Sequence, residues 1–256
     1  MAKRGGGGGG GGAIVAVKKE QRPFLEHVEA YLARRDGVDK ALKILRYTTK
    51  VLLASPLAPR APSELSRKLK DFEASVGTSR KAFRLGKFIQ NVNALKKTEI
   101  VSRQGFLGLV ANGGEGFYFF VEQFIWLMKA GLIDKRHSRR LTKLSAWAEF
   151  IGYFGSVALK SLDMAALLEK ETRLIQGIQK KSEDGIGGPV TDIKELQEVQ
   201  EKRMMKMLSI IQDFADSLLA LTDIRDSNGI LDNKFLLAFA GLLSALISAQ
   251  KNWKSC

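Results

Sequence analysis

Cysteine is nearly missing from this chain. The single one, Cys256, cannot form a disulfide within the chain, so nothing points to an oxidising compartment. Histidine is almost as scarce, and His27 and His137 cannot build a histidine-rich metal site. The sequence has no glycine-rich phosphate loop followed by Gly-Lys-Ser/Thr, no metal-ligand spacing and no nucleophile motif. The expectation is a protein that is not an enzyme and takes no cofactor or metal. Only five prolines interrupt 256 residues, and strand-like alternation is lacking. Long stretches rich in Ala, Leu, Lys, Glu and Met repeat apolar positions every three or four residues, which favours helix. The fold class expected is all-α: amphipathic helices plus one or two membrane-inserted helices, behind a flexible glycine-rich N-terminal tail.

Acidic residues run short in one region only. The net charge is +14, and residues 1–104 hold 22 Lys/Arg against 9 Asp/Glu, while the remainder is almost balanced. Such a basic part suits an anionic partner, either nucleic acid or lipid headgroups. Residues 1–22 read as a disordered tail, because Gly5 to Gly12 have no side chains to pack. The apolar run Ala13 to Val17 is shorter than a signal-peptide core of roughly 7–15 residues. Residues 23–104 form a basic cytosolic region, with a loop at 55–62. Residues 105–181 form an apolar helical region, in which Asn112-Gly113-Gly114-Glu115-Gly116 reads as a break and Phe117–Met128 as the candidate first membrane segment. Residues 182–192 are a linker. Residues 193–256 hold a long helix and a C-terminal apolar helix.

That last helix, Phe235 to Gln250, has 16 uncharged residues and a length of about 24 Å. A bilayer core of about 30 Å takes roughly 20 residues. Lys251, Trp253 and Lys254 follow it like an interfacial anchor. The same pattern also suits a buried core helix; the membrane-inserted reading is preferred.

The segment 63–97 is the most informative. At 100° per residue, Leu65, Leu69, Phe72, Val76 and Phe83 fall within about 40° of one line. Arg67, Lys70 and Lys81 lie opposite, and Lys68, Arg80, Arg84 and Lys87 flank the stripe. After Phe83 the apolar positions move to another face, with Gly77 or Gly86 as the candidate point of change. A stripe of this kind inserts beneath lipid headgroups while the basic side chains meet anionic lipid. It equally describes a core helix with a solvated basic face, and periodicity alone does not decide between them. These twelve residues are the candidate lipid-binding set.

Val38-Asp39-Lys40-Ala41-Leu42-Lys43-Ile44-Leu45-Arg46-Tyr47, Lys68-Leu69-Lys70-Asp71-Phe72-Glu73, Ser79-Arg80-Lys81-Ala82-Phe83-Arg84-Leu85-Gly86-Lys87 and the stretch from Gly229 onward resemble the peroxin-11 family of peroxisomal membrane proliferation factors, in its plant branch. The resemblance covers roughly residues 23–254. It implies a peroxisomal membrane protein whose amphipathic helix, here Leu65 to Lys87, elongates and curves the membrane and promotes peroxisome proliferation and fission. It also implies self-association into a homo-oligomer, a tail-anchored fission adaptor and dynamin-related GTPases as partners, and both termini in the cytosol.

Two other functions compete with remodelling. A peroxisomal membrane channel or solute-transport component is the alternative; it wants polar faces on several full spans, and the sequence offers one clear span and one weaker one. Nucleic-acid binding is disfavoured, because the aromatics of residues 65–87 sit among Leu and Val and not among the basic residues, as a stacking surface requires.

Overall fold

The structure, a computed structural model, describes residues 23–55, 62–99, 101–183, 190–225 and 233–256. The helices are α1 (Phe24–Leu32), α2 (Arg35–Ala54), α3 (Ser63–Phe83), α4 (Phe88–Lys96), α5 (Arg103–Lys129), α6 (Ser138–Glu183), α7 (Val190–Ile224) and α8 (Lys234–Lys254). A 3-10 turn, Lys135–His137, leads into α6, and no strand occurs among the described residues. The chain is all-α, as expected. The tail 1–22 and most of the expected breaks at 55–62 and 182–192 lie outside the described residues.

Local chemistry places several helix ends. The Ser102 hydroxyl accepts from the Gly105 amide at the start of α5, and the Asn233 side chain accepts from Phe235 and Leu236 at the start of α8. The basic segment 63–97 turns at Gly86, whose φ of 69° is comfortable only for a residue without a Cβ. Gly77, the other candidate, is inside α3 with the Arg46 guanidinium over it.

Two expectations are corrected. The glycines at 113, 114 and 116 do not break the chain, since α5 runs through them. A Cβ on Gly114 would lie 2.6 Å from Gly152 Cα, and one on Gly155 would lie 2.8 Å from the Ala111 amide nitrogen. The small residues therefore let α5 and α6 approach backbone to backbone, as helices do in membranes. The candidate first membrane segment also moves. Among the described residues, the helices long and apolar enough to cross a bilayer are Lys135–Glu183, which contains α6, and Lys234–Lys254, which is α8. Phe117–Met128 is not among them. The sequence also holds an apolar stretch at Leu144 to Leu168, inside α6, whereas Phe117–Met128 contains Glu122.

Six helices close into a ring. α2 packs on α3 and α8, α8 on α7, α7 on α6, α6 on α5, and α5 completes the circuit on α3. The seams differ in chemistry. At α2–α8 the Tyr47 ring fills the space over Gly241, where any Cβ would collide with it. The α3–α5 seam is polar: Lys81 pairs with Glu122, Arg84 donates to the Tyr118 hydroxyl at 2.7 Å, and the Gly86 amide donates to Gln123.

Candidate functional site

The twelve candidate residues divide along α3. Near its N-terminus Leu65 and Phe72 point outward, 47% and 46% exposed, with Leu69 half-buried between them. Arg67, Lys68 and Lys70 are exposed as well. The reason is the length of α2. Pairs between the antiparallel helices run from Asp39–Arg80 to Arg46–Glu73, and α2 stops at Ala54. Leu65 therefore lies at the end of its neighbour, whereas Phe72, beside the paired Glu73, is exposed because it sits on the face of α3 turned away from α2.

Further along, the helix turns its charges into the ring. Val76 is buried, Phe83 stays outward, and Arg80 is 4% exposed. Arg80 Nε and Arg84 Nε both donate to Asp39 Oδ1, at 3.1 and 3.2 Å, and Lys40 holds Asp39 Oδ2 at 3.2 Å. Lys81 meets Glu122, and Lys87 meets Asp36 at 3.1 Å. The expected place of Arg80, Lys81, Arg84 and Lys87 beside lipid headgroups is thus corrected in this arrangement. Each has a carboxylate opposite it on α2 or α5, and a charge removed from water is held only by such a partner.

The electrostatics follow the geometry. Burial works to raise Asp39, but Arg84, Arg80 and Lys40 outweigh it and hold the carboxyl far below the usual range. Burial pulls Lys40 down to about 8 and lowers Lys43. Lys43 is nonetheless well held: its Nζ donates to Asp216 at 2.9 Å and to the Ser244 hydroxyl at 2.6 Å.

Lys40, Lys43, Arg80, Arg84 and Asp216 line a cavity of about 460 Å³ inside the ring, reached by side chains from α2, α3, α5, α6, α7 and α8. Asp39, Lys43, Asp216 and Ser244 were not singled out by periodicity. The signal available was a helix carrying Asp39, Lys43 and Arg46 at spacings of four and three, which sets three charges on one face.

The outside of the molecule is the reverse. On α6, Leu144, Trp147, Ile151 and Phe154 face outward, Phe154 at 74% exposure, while Ser145, Ala148, Gly152 and Gly155 face in. On α8, Phe235, Leu236, Phe239, Leu243 and Leu246 face outward, while Ala238, Gly241, Ser244 and Ala245 face in. Large apolar side chains outside and small or charged ones inside is the arrangement of helices packed in lipid.

Residues 25–253 match the family model described as peroxisomal biogenesis factor 11. Among similar proteins, peroxisomal membrane protein 11A of Arabidopsis thaliana is 50% identical over 94% of this chain and 96% of its own length. Peroxisomal membrane protein 11-3 of Oryza sativa subsp. japonica is 48% identical over 92% and 91%. Peroxisomal membrane protein PMP30A of Candida boidinii is 25% identical over 91% and 95%. No solved structure matches.

Proposed function

This chain belongs to the peroxisomal biogenesis factor 11 family and is a peroxisomal membrane protein of peroxisome proliferation, and from that premise we propose that it elongates and curves the membrane through the N-terminal half of α3. The observation that carries this reading is the outward face of that half, where Leu65 and Phe72 stand exposed beside Arg67, Lys68 and Lys70. Burying one such apolar side chain fully contributes about 1.5–3 kcal/mol, and shallow insertion contributes less. Each adjacent lysine or arginine adds about 1 kcal/mol at an anionic surface. Insertion into one leaflet expands its area and favours curvature. α6 and α8 hold the protein in the bilayer with Phe154 and Phe239 toward lipid.

Both termini face the cytosol in this reading. The packing of α1 against the C-terminal end supports a shared side: the His27 ring lies 4.1 Å from that of Trp253, and Arg34 donates to the Ser255 carbonyl at 2.8 Å. The protein self-associates, and it works with a tail-anchored fission adaptor and dynamin-related GTPases, as the family resemblance implies.

The test is Leu65→Glu with Phe72→Glu in the full protein, reconstituted with anionic vesicles and viewed by electron microscopy. The expected outcome is loss of tubulation with unchanged thermal stability, since both side chains are exposed. Wild-type tubulation by the double variant would show that the curving element lies elsewhere.

A second reading, a solute pathway, is favoured by the charged cavity inside the ring. Conductance across a planar bilayer separates it from curvature, because Leu65 and Phe72 are outside the cavity lining.

A further inference from the structure

Asp39 faces more cations than one carboxylate neutralises. Lys40, Arg80 and Arg84 all converge on it, and Asp39 itself is 1% exposed. Of the carboxylates nearby, Asp216 pairs with Lys43, Glu122 with Lys81 and Asp36 with Lys87, while Glu149, also in the lining, accepts from the Tyr153 hydroxyl at 2.9 Å. Counted over the ion pairs, Lys40, Arg80 and Arg84 share the one charge of Asp39, an excess of two held where burial makes charge costly.

Arg80 bears most of that imbalance. Its Nε reaches Asp39, but its Nη2 is buried with no hydrogen-bond partner among the described residues. A buried donor left unmade costs its full desolvation. Burial, and then the adjacent Arg84, push Arg80 below the ordinary guanidinium range. Arg84 shows the opposite: burial works against it too, yet Tyr118 and Asp39 hold it above. Lys40, Arg80 and Arg84 all line the cavity of about 460 Å³, a size within the roughly 300–1,000 Å³ of ligand sites.

We propose that this cavity is a binding site for a phosphate-type oxyanion, seated against Arg80, Arg84 and Lys40. Two excess charges are neutralised by one dianionic group, whereas a simple carboxylate cancels only one. The planar guanidinium offers paired donors that match phosphate oxygens, and Arg80 Nη2 is the donor left for it. The same chemistry is carried by free phosphate compounds and by a phosphomonoester lipid headgroup. The site stands apart from the curvature reading, which rests on the outer face of α3.

The test uses the full-length protein in neutral detergent, unfolded thermally with increasing inorganic phosphate against chloride at matched ionic strength. A ligand that binds only the folded state raises Tm with saturation. The expected result is that phosphate does so and chloride does not. Arg80→Gln leaves Asp39 with Arg84 and Lys40; it should weaken the phosphate response about tenfold, equivalent to about 1.4 kcal/mol, with helicity retained. Lys40→Met serves as the second variant if Arg80→Gln does not fold. A parallel arm compares nanodiscs of phosphatidylcholine with and without phosphatidic acid, free of phosphate. Stabilisation by phosphatidic acid that Arg80→Gln abolishes assigns the headgroup as the source; stabilisation by free phosphate alone assigns a soluble ligand. The site is overturned if the wild type responds to neither probe, or if both variants keep the wild-type response.

Discussion

The two halves of α3 are written in the same residue types and live in opposite surroundings. Near the N-terminus, Lys68 pairs with Glu64 at 2.8 Å and Arg67 with Asp71 at 3.9 Å, one turn apart along the helix and all exposed. Such pairs contribute about 0.3–0.5 kcal/mol. In the C-terminal half, Arg80 and Lys81, with Arg84 just past the helix end, reach across to Asp39 and Glu122 on other helices and leave water to do so. An amphipathic pattern reports which side chains share a face. It does not report whether a carboxylate waits opposite the basic ones, and that decides between a lipid-facing lysine and an interior one.

The largest effect expected from breaking this contrast is at Asp39. Asp39→Asn removes the one charge shared by three cations, and stranding buried charges costs about 3–5 kcal/mol. Thermal unfolding in detergent should show a collapse in stability, and Lys68→Gln should show none. A smaller loss is expected at Gly241→Val, where the new side chain meets the Tyr47 ring. Overpacking of that kind costs about 1–3 kcal/mol, and it should loosen the α2–α8 seam while leaving the outer half of α3 untouched. Unchanged Tm would mean that the seam is not held as closely as the structure places it.

Lys40 gives the interior half a pH signature. Burial lowers its folded value to about 8, against about 10.4 for an unfolded lysine. Between these values the unfolded chain holds a proton that the folded chain has released, so stability rises with pH from about 8 to about 10. Unfolding free energy measured across that window should climb for the wild type and climb less for Lys40→Met. Equal slopes would remove Lys40 from the cause.

Much of the architecture was legible. The start of α3 after the break at 55–62 and the apolar run Phe235–Gln250 within α8 were read from the sequence, and Gly86 was one of two marked turning points. Asn112 to Gly116 misled, because a run of glycines is a breaker in water and a close-packing surface when another helix presents Gly152 and Gly155. Phe117–Met128 drew attention because aromatic density is conspicuous, whereas α6 is long and apolar enough to cross a bilayer with Ala, Gly and Ser spread among Trp147, Phe150 and Phe154. The candidate site was half legible. Leu65 and Phe72 could be read from periodicity, but the inward turn of Arg80, Lys81 and Arg84 depends on Asp39 and Glu122, which lie 41 to 45 residues away. No local pattern encodes that pairing.

The smallest effect distinguishes the halves by what salt does to them. Lys68→Gln with Lys70→Gln removes two exposed charges that hold nothing in the interior, so folding stability should stay within about 0.5 kcal/mol of wild type. Binding to anionic vesicles should weaken by about 1 kcal/mol for each lysine. That loss should fade as salt rises, because exposed charges are screened over about 10 Å at 0.1 M and about 3 Å at 1 M. Lys81→Gln should behave in the opposite way. It leaves Glu122 buried without its partner, so stability falls, and salt does little because the pair is shielded from water. Flotation across a salt series, paired with unfolding of the same preparations, reads both quantities at once. If Lys81→Gln were the variant that kept its stability and lost salt-dependent binding, Lys81 would face lipid, and the division of α3 into an outer and an inner half would fall.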